Sequence, residues 1–559
     1  HIKRDTPVMV VLGNPPYSGE SQNKGEWIMN LMDDYKKEPG GKEKLKERNP
    51  KWINDDYVKF LRFGQYFIEK NEEGVLAFIN PHGFLDNPTF RGMRWNLLKT
   101  YDKIYTIDLH GNSKKKETAP DGSPDENVFD IQQGVSINLM IKSGKKKENE
   151  LGKVFHYDLY GLREEKYNFL WDKSISSIDY EQLPKVEPMY YLVQKNFEAE
   201  KEYRKGFGIN NLFKLSSVGI ITARDHFSIN FKSEKLEKKI NEFLALDDEE
   251  ARSKFKLGKD VRDWKIKFAK KDLKETGPDF NRISKIDYRP FDIRYTYYTG
   301  NSKGFHCMPR GEVMSHFINN NNIGLMTCRQ IAIDSWDHVG VTKYIADDSR
   351  VSNRSKERGY IFPLYIYEKN GQQTIDNTPD RNPNLDSKIV KKIADGLGLK
   401  FVPESSFAKA TEDRPSTVET SEGKKERTDG TFAPIDLLDY IYAVLHSPTY
   451  RKTYKEFLKI DFPRVPYPED SETFWKLVEL GGELRQIHLM EHPIVNEFIT
   501  TYPKAGSNTI SNRLTKRDPG FVPDETDKPS SAEATEGRVW INDKQYFGNV
   551  PVKAWEFYI

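Results

Sequence analysis

The chain has 559 residues, room for roughly three or four structural units at about 150 residues each. Its 87 Lys and Arg balance 85 Asp and Glu to a formal charge of +2, so it is no polycation, and any nucleic-acid surface must be a local patch. Aromatic residues reach 13%, too many for a disordered chain, while a hydrophobic share of 36%, against roughly 45–50% in average domains, points to polar insertions beside aromatic-rich cores.

Cys307 and Cys328 are the only cysteines, which excludes a disulfide framework and a cysteine-based zinc site. No apolar run approaches the ~18–20 residues of a membrane span, and no signal peptide precedes the first strand. A cytoplasmic protein without membrane contact is expected.

Residues 8–12 read as a short buried parallel strand ended by Gly13, entered so early that the chain is expected to begin inside a domain. Residues 18–50 are polar and charged and read as a long loop. Tyr57, Phe60, Leu61, Gly64, Phe67 and Ile68 then recur at three and four residues, a helical face. Residues 74–79 form a second buried strand stopped by Pro81, 90–98 a helix, 103–109 a strand, 111–127 a polar loop and 135–141 another strand. This alternation predicts α/β architecture, the latter part of a doubly wound, Rossmann-like sheet over 1–160, with a connecting segment at 161–205.

From 206 to 400 the texture changes to short aromatic and β-branched runs, such as 288–298 and 322–327, divided by Gly and Asn turns. This predicts a separate, mixed α+β, strand-rich domain with helices. Residues 435–460 are helical with a break at Ser447-Pro448, and 435–559 complete the second domain. The stretch 413–424 is echoed at 527–538, and each echo follows a Phe-Val-Pro. Residues 401–434 and 524–538 are therefore expected to be low-complexity surface insertions.

Asn14-Pro15-Pro16-Tyr17 directly follows the first strand. Two prolines fix φ and cannot donate, which leaves a rigid extended loop with outward carbonyls. At the carboxyl end of a strand in an open α/β sheet, this is where such folds place ligands. The Asn14 amide oxygen and the Pro15 carbonyl offer two acceptors to one exocyclic amino group, and Tyr17 offers a π-face to a planar ring. The set suits an aromatic amine oriented for attack on an electrophile, with no metal required.

Val11-Leu12-Gly13-Asn14-Pro15-Pro16-Tyr17 resembles the catalytic motif of N6-adenine DNA methyltransferases that use S-adenosylmethionine. Residues 63–67, 74–81 and 84–85 resemble the family's following helix and strand. Residues 128–136 resemble its later motif, whose aromatic packs on the flipped base. The resemblance implies that Phe129 and Tyr17 sandwich an extruded adenine. Further matches at 219–227, 288–298, 324–330, 440–448 and 457–464 resemble the specificity domain of type ISP restriction–modification enzymes. These are single-chain proteins with nuclease and translocase domains upstream of a methyltransferase and a target-recognition domain. The family's glycine-rich cofactor motif is expected upstream of Asn14, which only thirteen residues precede.

Double-stranded DNA is the implied partner. Lys265 and Lys267 lie in a basic run with Trp264 and Phe268 interleaved, and suit phosphate tracking as well as a solvated helix face. Arg224, Arg289, Arg294 and Arg329 stand in the recognition domain, where arginine can read guanine bidentately. Two other readings stay open: a catalytically incomplete DNA-specificity module, and a methyltransferase acting on RNA or on protein glutamine.

Overall fold

The computed structural model of the protein describes residues 7–19, 21–46, 51–113, 117–147, 149–331, 336–352, 357–367, 381–403, 430–511, 520–523 and 536–558. Its first unit is built on β1 (Val10–Gly13), α1 (Glu26–Met32), α2 (Asp56–Asn71), β2 (Gly74–Pro81), α3 (Arg91–Thr100), β3 (Lys103–Asp108), β4 (Val135–Lys142), β5 (Lys153–Asp158), α4 (Arg163–Asp172) and β6 (Glu181–Leu183). The strands form a mixed six-stranded sheet in the order β1-β2-β4-β3-β5-β6. β1 pairs parallel with β2, and β3 with β5, while β4 runs antiparallel between β2 and β3. The carboxyl ends of β1, β2, β3 and β5 therefore share one edge of the sheet.

Packing follows the sequence pattern. α2 buries Tyr57, Val58, Leu61 and Ile68 in one core with Leu76 and Phe78 of β2 and Met93, Leu97 and Leu98 of α3. Gly64 lets α2 lie close on β2, since a Cβ there would come within 2.5 Å of Leu76 Cδ1. Two expectations need correction. The strand at 8–12 is not buried: among the described residues β1 has a single paired neighbour, and Val10 and Leu12 are 63% and 79% exposed, while Val11 alone of the strand packs on the core. The loop expected at 18–50 contains α1, which buries Ile28 and Met32, four residues apart, in the same core.

The second unit is strand-rich, as the aromatic runs predict. Ile283–Arg289 and Asp292–Tyr297 form a hairpin at the centre of one four-stranded sheet. Gly324–Cys328 is central to a second, between Val339–Thr342 and Gly359–Pro363. The helices Pro434–His446, Pro448–Leu458 and Ser471–His488 pack beside the second sheet in one large core, and Ser447 accepts from the Tyr450 amide at the expected break. Most of the two insertions, 404–429 and 524–535, lies outside the described residues. Where the first leaves and returns, Lys400–Phe401 pairs with Thr431–Phe432; Phe521–Pro523 pairs with Glu536–Trp540 around the second.

Candidate active site and nucleic-acid interface

At the carboxyl end of β1, Pro15 is buried, Tyr17 half-buried, and Asn14 and Pro16 exposed. The Tyr17 hydroxyl lies 2.6 Å from Asn14 Oδ1 and 3.0 Å from the Ile79 carbonyl, so its one proton has two acceptors. Burial pushes the Tyr17 phenol up to about 12, which keeps it protonated and donating. Behind the loop, Asp55 occupies the N-cap position of α2 without a side-chain cap bond and turns its carboxylate to the Ser18 and Gly19 amides, which donate to it at 3.2 and 3.1 Å. Asp55 is a positioning residue that nothing local in the sequence distinguishes from an ordinary helix-start acid.

Phe129 sits in the long connection between β3 and β4, half-buried. It packs, as Tyr17 does, on the small apolar cluster of Ile107, Leu109, Val128, Val135 and Leu159 at this same edge. Asn127 fixes its backbone by accepting from the Phe129 amide at 2.8 Å and donating to the Gly111 and Gln133 carbonyls. Lys166 of α4 reaches under the connection and donates to Asp125, the Leu109 carbonyl and the Glu126 carbonyl, each at 2.7 Å.

Beside this cluster, the ends of β2, β3 and β5 assemble an ionisable network that sequence reading missed. His82 Nδ1 is 2.9 Å from Asp108 Oδ1, and His110 contacts Glu117 through Nδ1 at 3.0 Å and Asp158 through Nε2 at 2.8 Å. Burial opposes charge on His110, but Asp108, Asp158 and Glu117 outweigh it and raise the imidazole to about 10. Tyr160 stacks on its ring at 3.8 Å between centroids. The network lines a cavity of about 440 Å³ shared with Asp86, Lys195, Lys455, Glu456 and Lys459.

The arginines expected to meet bases are mostly engaged within the fold. Arg224 donates to the Leu257, Ala223 and Lys259 carbonyls and covers the Trp264 ring. Arg289 pairs with Asp347 at 2.7 Å and lies over Tyr288. Arg294 forks onto Asp292 at 2.9 and 2.6 Å, between the rings of Phe231 and Tyr288. Arg329, half exposed, pairs with Asp461 at 2.8 Å. Lys265 and Lys267 flank Phe268, and neither has a carboxylate within ion-pairing distance among the described residues.

S-adenosylmethionine needs a glycine-rich turn from strand into helix and a free carboxylate for its ribose. The turns at this edge are Asn14-Pro15-Pro16-Tyr17, His82-Gly83-Phe84, His110-Gly111-Asn112 and Leu159-Tyr160-Gly161, none of that form. Asp108 and Asp158, the carboxylates at the strand ends, are held by histidines. The residues present do not by themselves fit that cofactor.

These two units, a mixed sheet and a strand-rich partner, form a fold shared with restriction–modification enzymes of known structure. Residues 211–559 match the type ISP C-terminal specificity domain, and the chain belongs to that family. The fold of 99% of the chain is similar to the ATP-dependent type ISP restriction–modification enzyme LlaBIII bound to DNA (19% identity, TM-score 0.63). It is similar over the same share to DrdV in a DNA complex (20%, 0.61) and to a nuclease-deletion mutant of the type ISP enzyme LlaGI with a DNA substrate mimic (20%, 0.59). The chain spans 34%, 51% and 47% of these three proteins. No curated protein matches it. No helix among the described residues is long and apolar enough to cross a membrane.

Proposed function

We propose that this chain is the base-accepting and target-reading part of a site-specific adenine-N6 DNA methyltransferase in a cytoplasmic restriction–modification enzyme. The observation that carries the reading is the common seat of Tyr17 and Phe129 on one apolar cluster at the carboxyl edge of the sheet, with Asn14 beside Tyr17. An adenine extruded from duplex DNA enters this seat and stacks on the two rings. Its amino group donates to Asn14 Oδ1 and the Pro15 carbonyl, and the Tyr17 hydroxyl turns wholly to the Ile79 carbonyl to free Asn14. S-adenosylmethionine supplies the methyl group when bound, held by residues outside this chain. The nitrogen loses its proton after transfer, so no strong base is needed beside it. Nuclease and translocase functions belong to further domains of the full-length protein.

The misfit of this chain with the cofactor favours a second reading, a DNA-specificity module without catalysis of its own. Selection of the purified chain on a random duplex pool at moderate salt tests the shared part of both: one asymmetric, adenine-containing site is expected to be enriched. A mismatch opposite the target adenine then separates them, because unpairing lowers the cost of extrusion by a few kcal/mol. Tighter binding to the mismatched site, lost in Tyr17→Ala, supports the base-accepting reading. Equal affinity for matched and mismatched sites overturns it and leaves the specificity module.

A further inference from the structure

The sheet edge holds a second arrangement that base binding does not use. The candidate ligand atoms of His82, Asp108 and His110 all lie within 4.8 Å of one another, and their side chains are 10%, 6% and 8% exposed. His82 Nδ1 and His110 Nδ1 face the two oxygens of Asp108, at 2.9 and 4.0 Å. Glu117 Oε1 reaches His110 Nδ1 at 3.0 Å from the β3–β4 connection. Bonds of about 2.0–2.2 Å to one central ion place tetrahedral ligand atoms about 3.3–3.6 Å apart, inside the range these atoms span. The outer contacts fit as well. His110 Nε2 is 2.8 Å from Asp158 Oδ1, which His156 also contacts at 3.0 Å, the carboxylate–histidine support typical of metal sites. His82 Nε2 faces the Asn112 side chain at 3.4 Å. Two imidazoles with two carboxylates suit zinc, manganese or ferrous iron and do not suit magnesium or calcium.

We propose that His82, Asp108 and His110 bind one divalent transition-metal ion, with Glu117, which stands beside His110 but outside their mutual 4.8 Å group, drawn in as the fourth ligand, so that the ion clamps the connection carrying Phe129 to the ends of β2 and β3. Its role is structural, and the site stands whether or not the chain takes part in methyl transfer.

The test uses the full, tag-free chain, stripped with a chelator and titrated with zinc and, separately, with cobalt(II) as a spectroscopic probe. One equivalent of zinc per chain, visible cobalt absorption of a mixed nitrogen–oxygen site, and a higher Tm with metal are expected. Asp158→Asn leaves all four ligands in place and is expected to weaken binding about 10- to 100-fold. Glu117→Gln, the most exposed ligand change, is expected to weaken it at least as much while the circular dichroism spectrum is kept. A folded chain that binds no stoichiometric zinc overturns the proposal, as does stoichiometric binding undiminished in both variants.

Discussion

Lys166 and Asp125 form an ion pair of 2.7 Å in which neither side chain has any solvent exposure. All three ammonium protons are used, and Asp125 also accepts from the Gly111 and Gly161 amides, which makes the pair the keystone of the connection that presents Phe129. Replacing Lys166 by Met strands a buried carboxylate and two carbonyls, and is expected to cost about 3–5 kcal/mol in denaturant unfolding. An unchanged midpoint would mean that the connection is not stabilised through this pair.

Tyr17→Phe keeps the ring on its apolar cluster but removes the hydroxyl between Asn14 and Ile79. Site-selective DNA binding and the mismatch preference are expected to persist in this variant, since the ring that stacks on the base is kept and target reading does not depend on the hydroxyl. In the full-length enzyme, Asn14→Ala is expected to abolish methyl transfer while specific DNA binding stays, read by labelled-methyl incorporation beside a binding titration. Retained transfer in Asn14→Ala would remove the proposed role of this loop.

His306 supplies a pH dependence of stability away from the site. It is fully buried, 2.7 Å from Thr296 Oγ1, with Nδ1 lacking a partner among the described residues, and burial lowers its pKa from 6.5 to about 4. Between those values the unfolded chain takes a proton that the folded chain refuses. Stability contributed by the neutral ring is thus complete above pH 6.5 and lost as pH falls toward 4, by up to about 3 kcal/mol. His446, lowered by burial and by Arg451 to about 3, acts in the same direction. Thermal unfolding of His306→Gln at pH 7 and pH 5 is expected to show a smaller acid-induced drop than the parent chain.

Lys265 and Lys267, which hold their ammonium groups over the Phe268 ring and have no carboxylate partner among the described residues, are the candidate phosphate contacts taken from the basic run. Removing either is expected to weaken binding to all sequences alike and to reduce the salt slope of log K by about 0.9. Arg294→Ala, by contrast, dismantles the Asp292 fork and the packing between Phe231 and Tyr288, so its expected first effect is on stability. An unaltered salt slope in both lysine variants would move the phosphate track elsewhere.

Periodicity and apolar runs made the first unit legible: the expected helices and later strands fall within a few residues of α2, β2, α3, β3 and β4, because helical spacing marks the buried face of α2 and a continuous apolar run marks β2. It failed at β1, where apolar composition reports what a strand is able to bury and not which neighbour covers it. The contact between Asn14 and Tyr17 was within reach of the sequence because both stand in one tetrapeptide. His82, Asp108, His110 and Asp158 were not, since they meet only where the ends of parallel strands converge. The arginines show the same limit: Arg289 and Asp347 are 58 positions apart and Arg329 and Asp461 are 132, so their pairing leaves no trace in sequence spacing.

Lys400 and Thr431 are partners in one short parallel ladder, and Phe521 and Val539 in an antiparallel one. Each insertion therefore departs and rejoins at neighbouring points. Changing the length between such fixed stems alters closure entropy only logarithmically, by about 0.6 kcal/mol per doubling. These two positions are natural ports: a fluorophore tag or a shortened linker can be exchanged there without re-threading the surrounding core.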